Sequence, residues 1–184
     1  MIIKGVPLAS KKRFLRVRPD LDFSSITAQG KPTFVTIGAI SGYSLPIYNN
    51  DNEELFFRFS IPRRWDGASD LTMFVLTALA SSEDSGNYMA LRASWARAKS
   101  GSVLSSGVVD STVSMTVMPG MGTQYTCYEF ELPIDYDAVS PQLAANNLLH
   151  IRLRRVSAGS PPLNGELIVV GVDIQLTIDK AYGA

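Results

Sequence analysis

The chain has 184 residues, of which 46% are hydrophobic and 18% charged; this fits one globular domain and excludes a largely disordered chain. Its 17 basic and 17 acidic residues balance, which argues against a dedicated nucleic-acid binder. The single cysteine excludes an internal disulfide, and no run approaches the ~18 consecutive apolar residues that cross a bilayer. The first residues are too short an apolar run for a signal peptide, so we expect synthesis in a cytoplasm and no membrane contact.

Residues 1–32 are predicted to form a basic, extended arm that precedes a folded domain at 33–184. The first 18 residues hold six basic groups and no acid, whereas the rest of the chain holds 11 basic and 17 acidic groups. Arm and body therefore attract each other, within one chain or between copies. A solvated tail and a phosphate-neutralising arm are alternatives, and we favour an arm that contacts a partner. The expected contact residues are Lys11, Lys12, Arg13, Phe14, Arg16 and Arg18.

Beyond the arm, alternating apolar and polar residues predict eight or nine β-strands. The predicted strands or extended segments are 33–40, 43–48, 55–60, 72–80, 87–98, 111–118, 123–132, 148–156 and 166–178. The first is expected to end at Ser41 and Gly42. The last shows the longest alternation, which would place on one face Ile168, Val170, Val172, Ile174, Leu176 and Ile178.

Residues 55–80 are expected to form two core strands joined at a tight corner. Pro62 removes a backbone donor, and Trp65-Asp66-Gly67 supplies turn chemistry, because Asp bonds its own backbone and Gly tolerates positive φ. We expect Trp65 and Asp66 to hold the corner rather than to bind a ligand.

One short helix is predicted within 133–147. Ser140 is suited to cap it and Pro141 to begin it, and Asn146 and Asn147 should end it after about one turn. The element order predicts an all-β fold, an antiparallel two-sheet sandwich of about eight strands with this helix and the arm.

Residue types that carry catalysis or bind metals are sparse. His150 is the only histidine and is expected on a solvent-facing strand surface, and Cys127 is expected to be an inert, half-buried thiol. The oxygen-rich segment 49–54 lacks the spacing of a calcium loop, and the pair Glu129 and Glu131 is typical of any exposed sheet face. We therefore predict no catalytic residue, no cofactor and no metal site, and we expect most aromatic residues to pack in the core.

Three stretches of the chain carry a resemblance to a known group. They are 59–72, which contains Pro-Arg-Arg-Trp-Asp-Gly, then His-Ile-Arg-Leu-Arg-Arg-Val at 150–156, and Leu-Ile-Val-Val-Gly-Val-Asp-Ile-Gln-Leu at 167–176. Together they resemble the jelly-roll proteins that build or decorate bacteriophage virions. The resemblance spans about 53–178 and implies a jelly-roll sandwich, assembly in rings that are often trimers, and a non-enzymatic place on a capsid or tail.

The first functional hypothesis is therefore a non-enzymatic virion protein, made in the host cytoplasm. It would be a decoration, minor capsid or single jelly-roll capsid subunit that contacts other virion proteins through its arm and sheet edges. We expect a homo-oligomer, with a trimer favoured, and we do not expect nucleic acid as a partner. The alternative is a carbohydrate- or receptor-binding module of a tail fibre or spike, in which an exposed aromatic such as Tyr125 would contact a glycan.

Overall fold

The computed structural model is a β-sandwich and describes residues 13–21, 32–38, 40–46, 54–98, 108–138, 142–157 and 159–178. Within these ranges the chain forms eleven strands. They are β1 (Arg13–Val17), β2 (Asp20–Leu21), β3 (Thr33–Ile37), β4 (Ile40–Leu45), β5 (Glu54–Ser60), β6 (Leu71–Leu79), β7 (Tyr88–Ala98), β8 (Val109–Thr116), β9 (Cys127–Ile134), β10 (Leu148–Arg155) and β11 (Leu167–Ile178).

The strands form two antiparallel sheets. Sheet A has the order β3-β4-β11-β6-β9, and β1 pairs with the second half of β11. Sheet B has the order β2-β5-β10-β7-β8. The predicted all-β antiparallel sandwich is confirmed. The predicted strand number is too low, because residues 13–21 contribute two strands, β1 and β2. As two strands were predicted between residues 33 and 48, β3 and β4 add none to the number, and they pair as a hairpin.

That hairpin turns earlier than the sequence indicated. Gly38 adopts a positive φ of 58° and ends β3, so the predicted end at Ser41 and Gly42 is wrong. Gly42 instead lies inside β4, where a Cβ atom would come within 2.5 Å of the Val169 carbonyl oxygen. The glycine is needed for close approach of β4 to β11 rather than for a turn.

The predicted short helix is also wrong, because the described residues contain no helix. Residues 142–147 form a turn in which the Asn147 side-chain oxygen accepts a hydrogen bond from the Ala144 N–H, at 2.9 Å. The Asn147 N–H in turn donates to the Ala144 carbonyl, at 3.1 Å, and Asn146 adopts a positive φ of 62°. Asparagine competes with helical hydrogen bonds in this way. The expected capping residues, 140 and 141, lie outside the described residues.

The core fills the space between the sheets with alternate side chains from both. Trp95 of β7, Phe130 of β9 and Ile151 of β10 are fully buried. Burying one such side chain contributes about 1.5–3 kcal/mol, so the inward faces of the long strands stabilise the sandwich. Tyr128 and Trp65 are buried as well, whereas Tyr88 and Tyr125 are exposed, so the expectation that most aromatics pack in the core is met only in part.

β11 departs from its predicted alternation at a bulge. Val169 lies opposite Thr77 and Gly171 opposite Leu76, so Val170 is an extra residue. An extra residue reverses which side chains face inward. Ile168 and Val170 therefore do not share a face with the later residues, and that part of the prediction is wrong. The inward residues of β11 are Leu167, Val169, Val172, Ile174 and Leu176.

The predicted corner between two core strands is confirmed, and it carries the chain from sheet B to sheet A. The Asp66 carboxylate accepts hydrogen bonds from the N–H groups of Ala68 and Ser69 and from the Ser69 hydroxyl, at 2.7–3.2 Å. Trp65 is buried and lies edge-on to Tyr136, with ring centroids 6.1 Å apart. Both side chains hold the corner, as the sequence indicated.

Candidate functional site

The described arm residues do not gather at one site. Lys11 and Lys12 lie outside the described residues. Arg13 and Phe14 are exposed on β1, which pairs with β11 of the same chain. Arg16 also lies on β1: its guanidinium carbon is 4.0 Å from the centroid of the Phe74 ring, and its Nε donates to Gln175.

The remaining arm residue, Arg18, lies elsewhere. It borders a cleft of about 180 Å³ that is lined from both sheets, among others by Leu21, Tyr43 and Val170. Leu15 and Val17 of β1 pack against the core. At least part of the arm therefore packs on the folded domain of the same chain. Contact of the arm with a partner stays a prediction.

The described arm residues are dispersed, whereas polar and aromatic side chains lie close together on the solvent-facing side of sheet B. We call this surface the outer face of sheet B. Antiparallel register sets its side chains in rows across the sheet, because residues directly opposite each other share a face. The rows are Asp20, Arg58, His150 and Ala96; then Phe56, Arg152, Ser94 and Asp110; then Glu54, Arg154, Arg92 and Thr112.

A depression of about 200 Å³ lies in this face. Small residues of β7, Ser94 and Ala96, line it together with the exposed Val108, and Phe56, His150 and Arg152 line it from β5 and β10. Phe56 is half-buried although its side chain points away from the core. The arrangement combines an aromatic ring with hydrogen-bonding groups around a shallow concavity.

Hydrogen bonds and ion pairs fix the rows around the depression. The Ser94 hydroxyl donates to Asp110, at 2.6 Å, and Asp110 pairs with Arg92, at 3.7 Å. Glu54 pairs with the Nε of Arg152, at 3.4 Å. Side chains held by neighbours lose less conformational freedom when a ligand binds, so the face is partly preorganised.

A second polar cluster, around Glu83, holds two loops together. Glu83 accepts hydrogen bonds from the N–H groups of Asn164 and Gly165 and from the side chains of Asn87 and Ser81. Burial alone would raise the pKa of Glu83, but these hydrogen bonds outweigh it and lower the pKa below its ordinary value. Because the donors satisfy the carboxylate, the cluster is structural.

The nearby Arg155 completes this cluster. Its guanidinium donates to the carbonyls of Gly165 and Leu163, at 2.6 and 3.1 Å. Burial lowers the pKa of Arg155, and the charges of Glu83 and Glu166 oppose that shift. Glu83 therefore ties residues 81–87 to Asn164 and Gly165, and Arg155 ties the same loop to β10.

Other residues singled out in the sequence are dispersed. His150 is exposed, as predicted, and borders the depression. Cys127 is exposed rather than half-buried, because it begins β9 on the outward side. Glu129 and Glu131 are exposed on sheet A, and Tyr125 lies in the loop before β9 with a φ of 68°. Tyr125 thus lies outside the register rows of sheet B, and its N–H donates to the Leu79 carbonyl of β6 in sheet A.

Two findings concern metals and membranes. No three His, Cys, Asp or Glu side chains gather closely enough to hold a metal ion in the described ranges. In the part of the chain that the structure describes, no helix has the length and apolar character needed to span a bilayer.

The residues that border the depression were missed in the sequence. Alternation alone places Phe56 and Arg152 on the solvent-facing sides of their strands. An aromatic residue such as Phe56 on a solvent-facing side was the signal that could have indicated a binding site. Their adjacency depends on the pairing of β5 with β10, which the pattern of either strand does not specify.

No protein-family model matches the chain, and no curated protein matches it. Among solved structures, the chain is similar to a carbohydrate-binding module specific for non-crystalline cellulose, with a TM-score of 0.40 and 13% identity over 77% of this chain and 78% of that one. It is also similar to the family 11 carbohydrate-binding module from Clostridium thermocellum in complex with a β-1,3-1,4-mixed-linked tetrasaccharide, with a TM-score of 0.39 and 13% identity over 93% and 90%. Likeness at this level carries no argument about function, which we take from the side chains instead.

Proposed function

We propose that this protein is a non-enzymatic carbohydrate-binding module that holds a glycan on the outer face of sheet B. The observation that carries the proposal is the row in which Phe56, Arg152 and Ser94 lie side by side at the depression. A sugar ring has an apolar C–H face and a rim of hydroxyl groups. An aromatic ring matches the first, and guanidinium and imidazole groups match the second.

The size of the depression supports the same function. Its volume of about 200 Å³ is below the roughly 300–1,000 Å³ of sites that enclose a drug-sized ligand. A shallow site of this kind suits one ring of a longer chain that continues across the sheet. The neighbouring row, with Arg58 and His150, offers further polar groups to an adjacent ring.

A glycan array followed by titration calorimetry tests this function. The unmodified protein should bind at least one glycan, and Phe56→Ala should weaken binding by about tenfold, which corresponds to about 1.4 kcal/mol. Tyr125→Ala is the matched control, since Tyr125 is an exposed aromatic outside the outer face of sheet B. Absence of binding to every glycan, or equal losses in the two variants, would contradict the proposal.

The second candidate is the virion structural protein suggested by the phage resemblance, a jelly-roll subunit that assembles through its arm. The observation that favours it is the exposure of Phe14, 69%, on a strand of the arm, since exposed large apolar residues often mark protein contacts. Deleting residues 1–18 would also remove β1 and disturb the core, so a point change is the sharper test.

Light scattering on the purified protein and on Phe14→Ser distinguishes this candidate. A virion subunit should form an oligomer, for which a trimer is favoured, and the substitution should dissociate it without unfolding the sandwich. It should also stop incorporation into particles. A stable monomer that incorporates normally would remove this candidate.

A further inference from the structure

Positive charge exceeds negative charge on the outer face of sheet B. Its rows contain four arginines, Arg58, Arg92, Arg152 and Arg154, against the three carboxylates of Asp20, Glu54 and Asp110, which is an excess of one positive charge. The excess contrasts with the body of the chain, since residues 19–184 hold 11 basic and 17 acidic groups.

The acids near the depression are already engaged. Glu54 lies 3.4 Å from the Nε of Arg152 and 3.7 Å from a terminal nitrogen of Arg154, so one carboxylate faces two guanidinium groups. Asp110 accepts the Ser94 hydroxyl and pairs with Arg92. Glu54 balances only one of the two guanidinium charges of Arg152 and Arg154, so β10 keeps one net positive charge beside the depression.

We propose that the glycan held here is an acidic one, whose sugar carries a carboxylate such as that of a uronic or sialic acid; this rests on the proposed function. Arg152 lies directly across from Phe56. A sugar ring stacked on Phe56 thus has the guanidinium at its edge, where a ring carboxylate projects. A guanidinium binds a carboxylate through two parallel N–H donors, which gives direction as well as charge.

An array of matched glycans tests this assignment. Hexagalacturonate and sialyllactose are each presented beside their carboxyl-reduced forms, so that only the charge differs. The unmodified protein should prefer the acidic member by at least tenfold. Arg152→Gln should reduce that preference to less than about threefold. Arg64→Gln, which removes an exposed arginine that lies outside the register rows of sheet B, should keep the preference.

Folding of each variant is checked by circular dichroism, and Arg152→Lys provides a second variant that keeps the charge but loses the paired donors. Arg152→Lys should prefer the acidic glycan more strongly than Arg152→Gln does and less strongly than the unmodified protein does. Equal binding of acidic and reduced glycans would overturn the acidic assignment and leave glycan binding intact. An unchanged preference in Arg152→Gln would overturn it too, and no binding to either member of any pair would remove the proposed function itself.

Discussion

Replacing Glu83 by glutamine tests how the two loops at one end of the sandwich are held. One carboxylate oxygen of Glu83 accepts from Gly165 and Ser81, at 2.6 and 3.3 Å, and the other from Asn87 and Asn164, both at 3.0 Å. Glutamine keeps one acceptor oxygen and turns an NH₂ group toward the other two donors. Two charge-assisted hydrogen bonds, each worth about 1.5–3 kcal/mol, are thereby lost.

We expect Glu83→Gln to lower the free energy of unfolding by about 3 kcal/mol at neutral pH, partly offset by relaxation of the loops. The melting temperature should fall by roughly 6–12 °C for a chain of this size. Urea and thermal unfolding measure both quantities. Glu129→Gln, on an exposed position of β9, is the matched control and should change stability by less than about 0.5 kcal/mol.

The same substitution has a defined pH dependence. Because the pKa of Glu83 is lowered in the folded state, the unfolded chain takes up the proton first as the pH falls. The stability that Glu83 contributes is complete above its unfolded pKa of about 4.3 and is lost as the pH falls through the lower folded pKa. The difference in the free energy of unfolding between the unmodified protein and Glu83→Gln should therefore decrease below pH ~4.3. Equal effects of Glu83→Gln and Glu129→Gln would refute this reasoning.

Two further predictions concern the same loops and the arm. Gly165→Ala should lower the free energy of unfolding in urea by about 1–3 kcal/mol, because the new Cβ would lie 2.0 Å from the Ser81 hydroxyl oxygen. Gly171→Ala should leave that free energy nearly unchanged, because no atom lies within 4 Å of the new Cβ. Leu15→Ser should cost about 1–2 kcal/mol because Leu15 packs against the core, whereas Phe14→Ser on the exposed side should cost less than about 0.5. Equal costs for the two arm variants would mean that β1 is not seated on β11.

Much of the fold follows from local patterns. Alternation in β5, β9 and β10 predicts both the strands and their inward residues, because one face of each is buried against the opposite sheet. The bulge at Val170 escaped prediction because residues 167–170 are all apolar. The sequence therefore does not show where the inward-facing residues change from odd to even numbers. The predicted helix failed because the Asn147 side chain takes the Ala144 N–H that a helix would need.

The candidate site was less predictable than the fold. Phe56, Ser94 and Arg152 come from three strands that are distant in sequence, and only the pairing of β10 with both β5 and β7 places them in one row. The basic arm gave the strongest charge signal in the sequence. Its described residues instead spread over two surfaces, because β1 alternates and the chain then crosses to sheet B.

The most direct test of glycan binding on sheet B is an NMR titration of the ¹⁵N-labelled protein with its tightest-binding glycan from the array. We predict that the largest amide shifts fall on Phe56, Ser94, His150 and Arg152, with little change in β1 or in the loop that contains Tyr125. Shifts that concentrate on β1 or on that loop, with sheet B unchanged, would contradict this assignment.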